Sequence, residues 1–422
     1  MVSVFKCINC KKSHPLGVKT KCECGGLFEV EHEFVDEVKC DIFDGRLGSR
    51  NPILKSGVWR FKELVYPELE EKHIVTRPEG NTNLYVSKLI SDFIGLPRVY
   101  LKHEGENPTG SFKDRGMTVG ISEAKRLGAK TVACASTGNT SSSLASYAAI
   151  AGMKCIVFIP EGKIAYGKLA QTLAYGTTVL QVKGGFDDAM RLVQQVSEES
   201  GIYLLNSVNP WRVEGQKTIV FDLIQQLDWN PPDWIVLPAG NLGNTSAFGK
   251  ALAELEELGL ICEKPRLAAI QAEGADPFYR LWSTGSNLLE PYKDVKTIAS
   301  AIRIGNPVSW KKALSAIKDT NGLVEHVSDQ EIMNSKAIVD RCGIGCEPAS
   351  AASVAGAKRL FDSGIIDRGE RIVCVLTGNL LKDPDSTIRY FEDDLPGVKS
   401  NMTNNPKIVE PSIEDIRRAL DS

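Results

Sequence analysis

The sequence predicts an α/β protein with two doubly wound parallel-sheet domains and a small N-terminal segment. Short segments such as 155–159 and 372–376 are apolar at every position, which is typical of parallel strands covered on both faces. They alternate with helical patterns of about 10 to 15 residues, as in βαβ units. Three of the strands lead into loops rich in Ser, Thr, Asn and Gly. Ligands of open α/β sheets bind at the carboxyl ends of strands, so these loops indicate where a site would lie.

The regular elements follow one another from about residue 115. Apolar runs bounded by turn residues predict strands, and apolar residues three or four positions apart predict helices. We predict strands at 130–135, 155–159, 178–182, 202–207, 234–237, 268–271 and 372–376. We predict the end of a helix at 120–127 and helices at 140–151, 166–174, 187–197, 214–227, 245–258, 329–341 and 348–361. A capping-box pattern at Ser412 and Asp415 predicts one short helix near the end of the chain.

Composition excludes several classes of protein. The chain has 422 residues, of which 42% are hydrophobic and 24% are charged, so it is long enough for two or three domains with large cores. A formal net charge of −3 provides no positive field for nucleic acid or an anionic membrane. The sequence contains no apolar run of about 18 residues, and its first residues lack the pattern of a signal peptide. We therefore expect a cytoplasmic protein whose partner is a small molecule.

Several of the eleven cysteines stand singly in apolar segments, where cysteine behaves as a small hydrophobic residue. These are Cys134, Cys155, Cys262 and Cys374. We expect their thiols to be reduced, in keeping with a cytoplasmic location.

The first 45 residues contain two close cysteine pairs, one spaced C-x2-C and the other C-x-C followed by two glycines. This segment resembles a zinc ribbon, in which four thiolates surround Zn²⁺ and leave no open position for a substrate. The expected ligands are Cys7, Cys10, Cys22 and Cys24. The second pair is one residue shorter than a usual knuckle, so His14 and Cys40 are alternative ligands. A vestigial knuckle without metal is the other interpretation.

Three predicted strand ends and one loop carry candidate chemistry. Residues 136–143 lead into a helix whose first N–H groups suit a carboxylate, although a plain helix cap fits the same residues. Residues 240–245 combine glycines with a helix start, as a phosphate cup does. Residues 377–379 place a hydroxyl at a strand end. Lys113 begins a helix beside Arg115, and a neighbouring cation favours the neutral amine that Schiff-base chemistry needs, although most lysines are simply solvated.

The stretch Pro-Thr-Gly-Ser-Phe-Lys-Asp-Arg-Gly at 108–116 resembles the lysine motif of the fold-type II pyridoxal-phosphate (PLP) enzymes. The similarity extends over nearly the whole chain and implies a tryptophan synthase β-like fold. It is closest to the threonine synthases, a branch of that family. The discriminating segments are Gly-Asn-Leu-Gly-Asn at 240–244 and Asn-Ser-Val-Asn-Pro-Trp-Arg-Val-Glu-Gly-Gln-Lys at 206–217.

The resemblance implies roles for individual residues. Lys113 would bind PLP covalently and shuttle protons, Asn139 would contact the 3-hydroxyl, and Thr377 would face the pyridine nitrogen. The phosphate of PLP would lie on the N–H groups of Gly240, Asn241, Leu242, Gly243 and Asn244. The α-carboxylate of the substrate would contact Ser136, Thr137 and Thr140. Asn206, Ser207, Asn209 and Arg212 would hold a substrate phosphate, for which planar bidentate donors are suited.

The implied activity is a PLP-dependent lyase reaction that converts O-phospho-L-homoserine and water to L-threonine and phosphate, the last step of threonine biosynthesis. The alternative within the family is a serine/threonine ammonia-lyase, which would need no cradle for a substrate phosphate and typically has a tetraglycine cup. A third interpretation is a zinc-ribbon interaction protein with a degenerate α/β body. The intact Lys113, Asn139 and 240–244 cup disfavour it.

The resemblance also implies a domain organisation and a homodimer. Residues 1–45 would form the zinc-ribbon-like segment, 46–111 and 201–394 the large cofactor-binding domain, and 112–200 a small mobile domain. Residues 395–422 would form a C-terminal tail with a short helix. Closure of the small domain over the ligand would exclude water from the reaction.

Overall fold

The structure is a computed structural model that describes residues 3–34, 38–161, 166–184 and 186–420. Its strands are β1 (Ser3–Cys7), β2 (Ser13–His14), β3 (Phe28–His32), β4 (Leu84–Val86), β5 (Val99–His103), β6 (Thr131–Ala135), β7 (Lys154–Pro160), β8 (Thr178–Val182), β9 (Tyr203–Leu204), β10 (Trp234–Pro238), β11 (Arg266–Ala272), β12 (Leu323–Val327) and β13 (Ile372–Leu376).

Its first eight α-helices are α1 (Cys40–Asp44), α2 (Pro52–Lys55), α3 (Lys62–Val65), α4 (Lys88–Ile94), α5 (Lys113–Arg126), α6 (Asn139–Ile150), α7 (Tyr166–Ala174) and α8 (Phe186–Ser200). They are followed by α9 (Pro210–Gln226), α10 (Gly243–Glu257), α11 (Pro277–Ser283), α12 (Trp310–Asp319), α13 (Asp329–Arg341), α14 (Pro348–Asp362), α15 (Pro384–Phe391) and α16 (Ile413–Leu420). Short 3-10 helices occupy Trp59–Phe61, Glu71–His73, Glu104–Glu106, Ser300–Ile302 and Leu380–Lys382.

Three sheets organise these elements, with strand orders β2-β1-β3, β12-β11-β10-β13-β5-β4 and β8-β7-β6-β9. The four-stranded sheet is parallel throughout. In the six-stranded sheet, β4 runs antiparallel to β5 at the edge, and the other pairings are parallel. The N-terminal sheet is antiparallel. The architecture confirms the predicted α/β class with parallel sheets.

The six-stranded sheet is buried on both faces, as its apolar strands predict. Along β10, Ile235 and Leu237 pack into a core shared with α9, α10 and α12. The alternate residues Trp234 and Val236 face the opposite core, to which α4, α13 and α14 contribute. Side chains of a strand point alternately to its two faces, so an uninterrupted apolar strand needs this double cover.

Two predicted elements differ from the structure. The strand expected at 202–207 is only Tyr203–Leu204, because the chain turns where Asn209 N–H donates to Asn206 O (3.0 Å). The helix expected from residue 214 begins at Pro210, where the Asn209 side chain caps it. Within the six-stranded sheet, the prediction also omits β4, β5 and β12, the last of which has a Leu-Val-Glu-His-Val sequence that interrupts the apolar pattern.

All eleven cysteines are free thiols. Cys134, Cys155 and Cys374 are buried as expected, whereas Cys262 is exposed. None of the helices in the described ranges is long and apolar enough to cross a membrane.

Helices α5 and α9 cross in close contact at two glycines. A Cβ at Gly215 would lie 1.8 Å from Arg115 O, and a Cβ at Gly116 would lie 2.7 Å from Arg212 O. Neither distance leaves room for a side chain in a close-packed interior, so both helices need glycine here. The crossing places the first turn of α5, which begins at Lys113, next to the first turn of α9.

A buried ion network holds α5 against the large sheet. Arg115 donates to both oxygens of Glu104 (2.7 Å each) and to Asp222 (2.7 Å). Lys102 and Arg60 donate to the same aspartate over 3.0 and 2.9 Å. Burial alone would raise the pKa of Asp222, but the three cations hold that pKa well below its usual range. Removing one member of such a network would leave an uncompensated buried charge.

Replacing Gly215 by alanine tests the helix crossing. We expect Gly215→Ala to lower the free energy of unfolding by more than about 3 kcal/mol, because the added methyl group overlaps the Arg115 carbonyl. Urea unfolding followed by tryptophan fluorescence measures this change. Gly369→Ala is the control, since a Cβ there meets no atom within 4 Å. Equal stabilities of the two variants would contradict the crossing.

Candidate active site

Lys113 is the first residue of α5 and lies beside the carboxyl end of β13. The loop before it is tied to that strand end, since Phe112 N–H donates to Thr377 O (3.1 Å) and Asn379 N–H donates to Gly110 O (2.9 Å). Gly110 has a φ of 85°, in the left-handed region that favours glycine. These bonds fix the position from which the lysine side chain starts.

The surroundings of Lys113 make its amine unusually easy to deprotonate. Burial, together with the charge of Arg212, lowers the pKa of Lys113 to about 7, and the carboxylate of Glu347 acts in the opposite direction. Near neutral pH the amine is therefore present in both protonation states. The expectation that Arg115 is the neighbouring cation is wrong, because Arg115 is paired with buried carboxylates, and Arg212 supplies the charge instead.

Asp114 closes the turn that precedes α5. It accepts hydrogen bonds from the N–H and Oγ1 of Thr109 (2.7 and 2.6 Å) and from Ser143 Oγ (2.6 Å). Burial raises the pKa of Asp114 to about 6, although these three bonds oppose the rise. Because Ser143 belongs to α6, the carboxylate joins the lysine loop to the next helix at the site.

The half-buried turn from β6 to α6 contains the residues predicted to contact a carboxylate, Ser136, Thr137 and Thr140. Ser136 Oγ accepts from Gly138 N–H (3.2 Å), which shapes the turn. Asn139 Nδ2 donates to both carboxylate oxygens of Glu347 (3.0 and 3.2 Å). This turn therefore meets the start of α14.

Glu347 is a site residue that the sequence analysis misses. It is 2% exposed, and its N–H donates to Gly378 O (3.1 Å). A Cβ on Gly378 would lie 2.3 Å from Glu347 Oε1, so the carboxylate packs directly against the end of β13. The signal in the sequence is a Glu-Pro pair at a predicted helix start, which is also a common way to begin a helix.

The predicted phosphate cup lies between β10 and α10. Leu242 has a left-handed φ of 63°, and α10 begins after it without a side-chain cap in the described structure. The first N–H groups of α10 are therefore available to an anion. Asn244 Oδ1 and Thr245 Oγ1 are buried and have no hydrogen-bond partner among the described residues. The whole cup is formed by Gly240, Asn241, Leu242, Gly243 and Asn244.

Thr377 is 5% exposed and directly follows β13, next to the lysine loop. Its Oγ1 lies 3.1 Å from Ser350 Oγ, which also accepts from Gly378 N–H (2.9 Å). The hydroxyls of Thr377 and Ser350 are both neutral, and either can donate a hydrogen bond. From the family resemblance, we expect the pyridine nitrogen of PLP to lie next to Thr377.

Arg212 is a buried cation on the first turn of α9. Its side chain is almost fully buried, and Nη1 makes one long hydrogen bond to Leu205 O (3.4 Å). Its Nε has no hydrogen-bond partner in the part of the chain that the structure describes. Burial lowers the pKa of Arg212 to about 10. Buried charges in proteins are normally paired, so this guanidinium indicates a position for an anion.

The other predicted phosphate ligands differ in how their side chains are used. The Asn206 amide pairs with both the N–H and the C=O of Ala135 (3.0 and 3.1 Å). The Asn209 amide caps α9 and donates to a carbonyl of β9 (3.0 Å each). Ser207 Oγ lies 3.5 Å from Asn241 Nδ2, which joins this segment to the cup.

Comparison with known proteins agrees with this geometry. A family model described as "Pyridoxal-phosphate dependent enzyme" matches residues 75–378. Threonine synthase of Methanocaldococcus jannaschii is 49% identical over 392 residues, which are 92% of this chain and 95% of that protein. Threonine synthase of Methanosarcina acetivorans is 45% identical over 419 residues, which are 99% and 98% of the two chains.

Solved structures share the fold at much lower identity. Threonine synthase from Escherichia coli has a TM-score of 0.68 at 19% identity and covers 95% of this chain and 90% of its own. Threonine deaminase isoform 2 from Solanum lycopersicum has a TM-score of 0.63 at 20% identity, with 82% and 93% covered. At such identities, these two structures support the fold alone.

The family match at 75–378 spans the lysine loop, the cup and Thr377. The chain belongs to the family of pyridoxal-phosphate dependent enzymes, and its fold is that of fold type II. The identity of 45–49% over nearly the full length of two relatives places it more narrowly, in the threonine synthase family.

The residues present fit PLP. An amine with a pKa of about 7 can react with an aldehyde near neutral pH, and Lys113 provides it. The uncapped start of α10 and the unpartnered Thr245 hydroxyl provide donors for a phosphate group. Family membership establishes PLP as the cofactor, and these observations agree with it.

The pKa of Lys113 predicts how the cofactor-free protein captures PLP. Only the neutral amine attacks an aldehyde, so we expect the capture rate to rise with pH around a midpoint of about 7. Glu347→Gln removes the charge that raises this pKa, and the midpoint should therefore move to lower pH. Arg212→Gln should move it to higher pH. The rate of PLP capture can be measured by stopped-flow absorbance between about pH 5 and 9, a range that includes both shifted midpoints.

The exposed Glu392→Gln substitution is the control for this titration, since it removes an equal charge at the surface. Its midpoint should match that of the unsubstituted protein. Identical midpoints in all four proteins would contradict the electrostatic account of Lys113.

Proposed function

We propose that this chain converts O-phospho-L-homoserine and water to L-threonine and phosphate. One observation carries the proposal: the buried guanidinium of Arg212, which has no carboxylate partner among the described residues, lies close enough to Lys113 to lower its pKa. A substrate that reacts beside Lys113 and ends in a phosphate would supply the anion that Arg212 lacks. The relatives of 45–49% identity are threonine synthases, which supports the same reaction.

In this proposal, Arg212 and Ser207 hold the substrate phosphate directly. Asn206 and Asn209 act as positioning residues, because their amides are engaged by the main chain of β6, β9 and α9. They keep the short segment between β9 and α9 in place, so that the guanidinium starts from a fixed backbone position. The α-carboxylate is held at the start of α6 by Ser136, Thr137 and Thr140 together with the helix N–H groups.

The cofactor would be held by four parts of the chain. When bound, PLP supplies an electron-withdrawing ring that acidifies the Cα–H of an attached amino acid. Lys113 holds it covalently, and the 240–244 cup holds its phosphate. Asn139 contacts its 3-hydroxyl, with the Asn139 amide oriented by Glu347. Thr377, supported by Ser350, faces its ring nitrogen.

Lys113 carries the protons in the proposed reaction. The Cγ–O bond to phosphate breaks and the oxygen of water bonds to Cβ, while Cβ gives up one hydrogen and Cγ gains one. Lys113 Nζ removes the proton of Cα first and later returns one. A pKa of about 7 suits both steps, since the same amine must act as base and then as acid near neutral pH.

We also propose the organisation of the whole molecule. Residues 46–111 and 201–394 form the cofactor-binding domain, over which residues 112–200 close to exclude water. Residues 1–45 form the ribbon segment and 395–422 the tail. The protein works in the cytoplasm as a homodimer, with a small-molecule substrate and without a nucleic-acid partner, in keeping with its net charge of −3.

Product analysis distinguishes this function from that of an ammonia-lyase. We expect the PLP-loaded protein to release phosphate and L-threonine in equal amounts from O-phospho-L-homoserine. With L-threonine as the only substrate, we expect almost no ammonia or 2-oxobutanoate. Release of 2-oxobutanoate from threonine without phosphate release from phosphohomoserine would establish the alternative activity and overturn the assignment of Arg212.

Arg212 variants test the phosphate contact. We expect Arg212→Met to raise KM for O-phospho-L-homoserine by about 10- to 150-fold, because one or more charge-assisted hydrogen bonds are lost. Arg212→Lys should recover part of the loss. Arg191→Met changes an exposed arginine and should leave KM unchanged. If Arg212→Met binds PLP and substrate as tightly as the unsubstituted enzyme does, the contact is wrong.

A further inference from the structure

The four N-terminal cysteines come together in the folded ribbon. One sulfur atom from each of them lies within 4.8 Å of the others. Cys7 Sγ is 3.4 Å from Cys24 Sγ, and Cys10 Sγ is 3.7 Å from Cys22 Sγ. A tetrahedral zinc ion with Zn–S bonds of about 2.3 Å needs sulfur atoms roughly 3.8 Å apart. The thiols are therefore already spaced for one tetrahedral ion.

We propose that Cys7, Cys10, Cys22 and Cys24 bind one Zn²⁺ ion, which closes the β1–β3 ribbon and holds it on the first turns of α9. The proposal concerns the folded chain and does not depend on which substrate the enzyme uses.

The turns explain how the shorter cysteine pair remains a ligand pair. The residue after each pair, Lys11 or Gly25, has a left-handed φ of 60° or 80°. In the longer pair Lys11 N–H donates to Cys7 O (3.0 Å), and in the shorter pair Gly25 N–H donates to Cys22 O (2.8 Å). The two turns end in the same backbone conformation, and the shorter one is tighter by one residue. The shorter C-x-C spacing therefore still allows both Cys22 and Cys24 to act as ligands.

Four thiols are enough to complete the coordination of one tetrahedral zinc ion. A Cβ at Gly26 would lie 2.5 Å from Cys7 Sγ, so a side chain there would displace the thiol. His14 Nε2 lies 3.5 Å from Cys22 Sγ, where it can donate a hydrogen bond to a metal-bound thiolate. Cys40 begins α1 and is not part of the cluster. Neither alternative ligand is needed.

The small size of the ribbon indicates a structural role for the ion. Its strands have five, two and five residues. A sheet this small buries little apolar surface, and small units of this kind are usually stabilised by a metal or by disulfides. All four cysteines are free thiols, and a closed set of four thiolates is typical of structural zinc, which imposes no preferred geometry of its own.

The ribbon packs on α9 close to Arg212. The Phe5 ring stacks on Phe28 (5.3 Å between centroids) and contacts Trp211 (6.1 Å). His32 Nε2 lies 2.8 Å from Glu214 Oε2 within a fully buried pair. Trp211 and Glu214 flank Arg212 on the first turns of the helix. An ion that holds the ribbon closed therefore also supports the helix turn that carries Arg212.

Metal analysis of the purified holoenzyme tests the site. We expect about one zinc ion per chain by plasma mass spectrometry, as for a structural four-cysteine site. The double variant Cys10→Ser/Cys24→Ser should lose the zinc, and because both thiols are exposed, the change leaves the core intact. Cys262→Ser removes another exposed thiol outside the cluster and should keep the zinc.

Two further readouts separate the ion from its structural effect. Cobalt replacing zinc should show the d–d bands of a tetrahedral thiolate site, which the double variant should lack. The Tm of the double variant should fall by roughly 5 to 10 °C, the shift expected for a partly detached segment, with no fall in Cys262→Ser. No zinc after growth with added zinc, iron in its place, a disulfide between these cysteines, or zinc kept by the double variant would overturn the proposal. Zinc loss at unchanged Tm would overturn the structural role.

Discussion

The crossing of α5 and α9 at Gly116 and Gly215 determines where the two reactive cations stand. Lys113 and Arg212 each lie three residues before the glycine of their own helix, nearly one turn N-terminal to the contact. A larger residue at either glycine would separate the helices, and it would also separate the amine from the guanidinium. The spacing of the two cations in the proposed reaction thus depends on the backbone contact between α5 and α9.

The buried ion network keeps a third cation away from the site. Arg115 follows Lys113 by two residues, which on a helix is about 200° around the axis. Its guanidinium therefore faces Glu104 and Asp222 in the interior, where three cations surround one aspartate. Such a network adds little net stability, but it imposes one arrangement, because any other leaves a buried charge unpaired. The orientation of α5, and with it the direction of Lys113, follows from this requirement.

The sequence alone predicts those features that are local. Apolar runs such as 372–376 coincide with a strand because burial on both faces needs every residue to be apolar. Glu347 is different: its proximity to Asn139 joins positions 208 residues apart, and no local pattern indicates such a contact. The wrong prediction that Arg115 lies beside the Lys113 amine has the same origin. The side of α5 on which the Arg115 side chain lies is determined by its partners, of which Asp222 is far along the chain. The capping role of Asn209 could have been predicted from the sequence, because Asn followed by Pro is a common helix start.

The electrostatic balance at Lys113 connects substrate recognition with proton transfer. Burial and Arg212 lower its pKa, and Glu347 raises it. In the proposed reaction, the substrate phosphate neutralises the positive charge of Arg212. Arg212 then no longer lowers the pKa of Lys113, whereas Glu347 still raises it. The pKa of Lys113 then rises as the substrate binds, which strengthens the neutral amine as a base and lowers the fraction of lysine that is neutral near pH 7. A substrate without the phosphate would leave the Lys113 pKa near its unliganded value of about 7. The phosphate would therefore affect the protonation of Lys113 as well as substrate binding, through the same guanidinium.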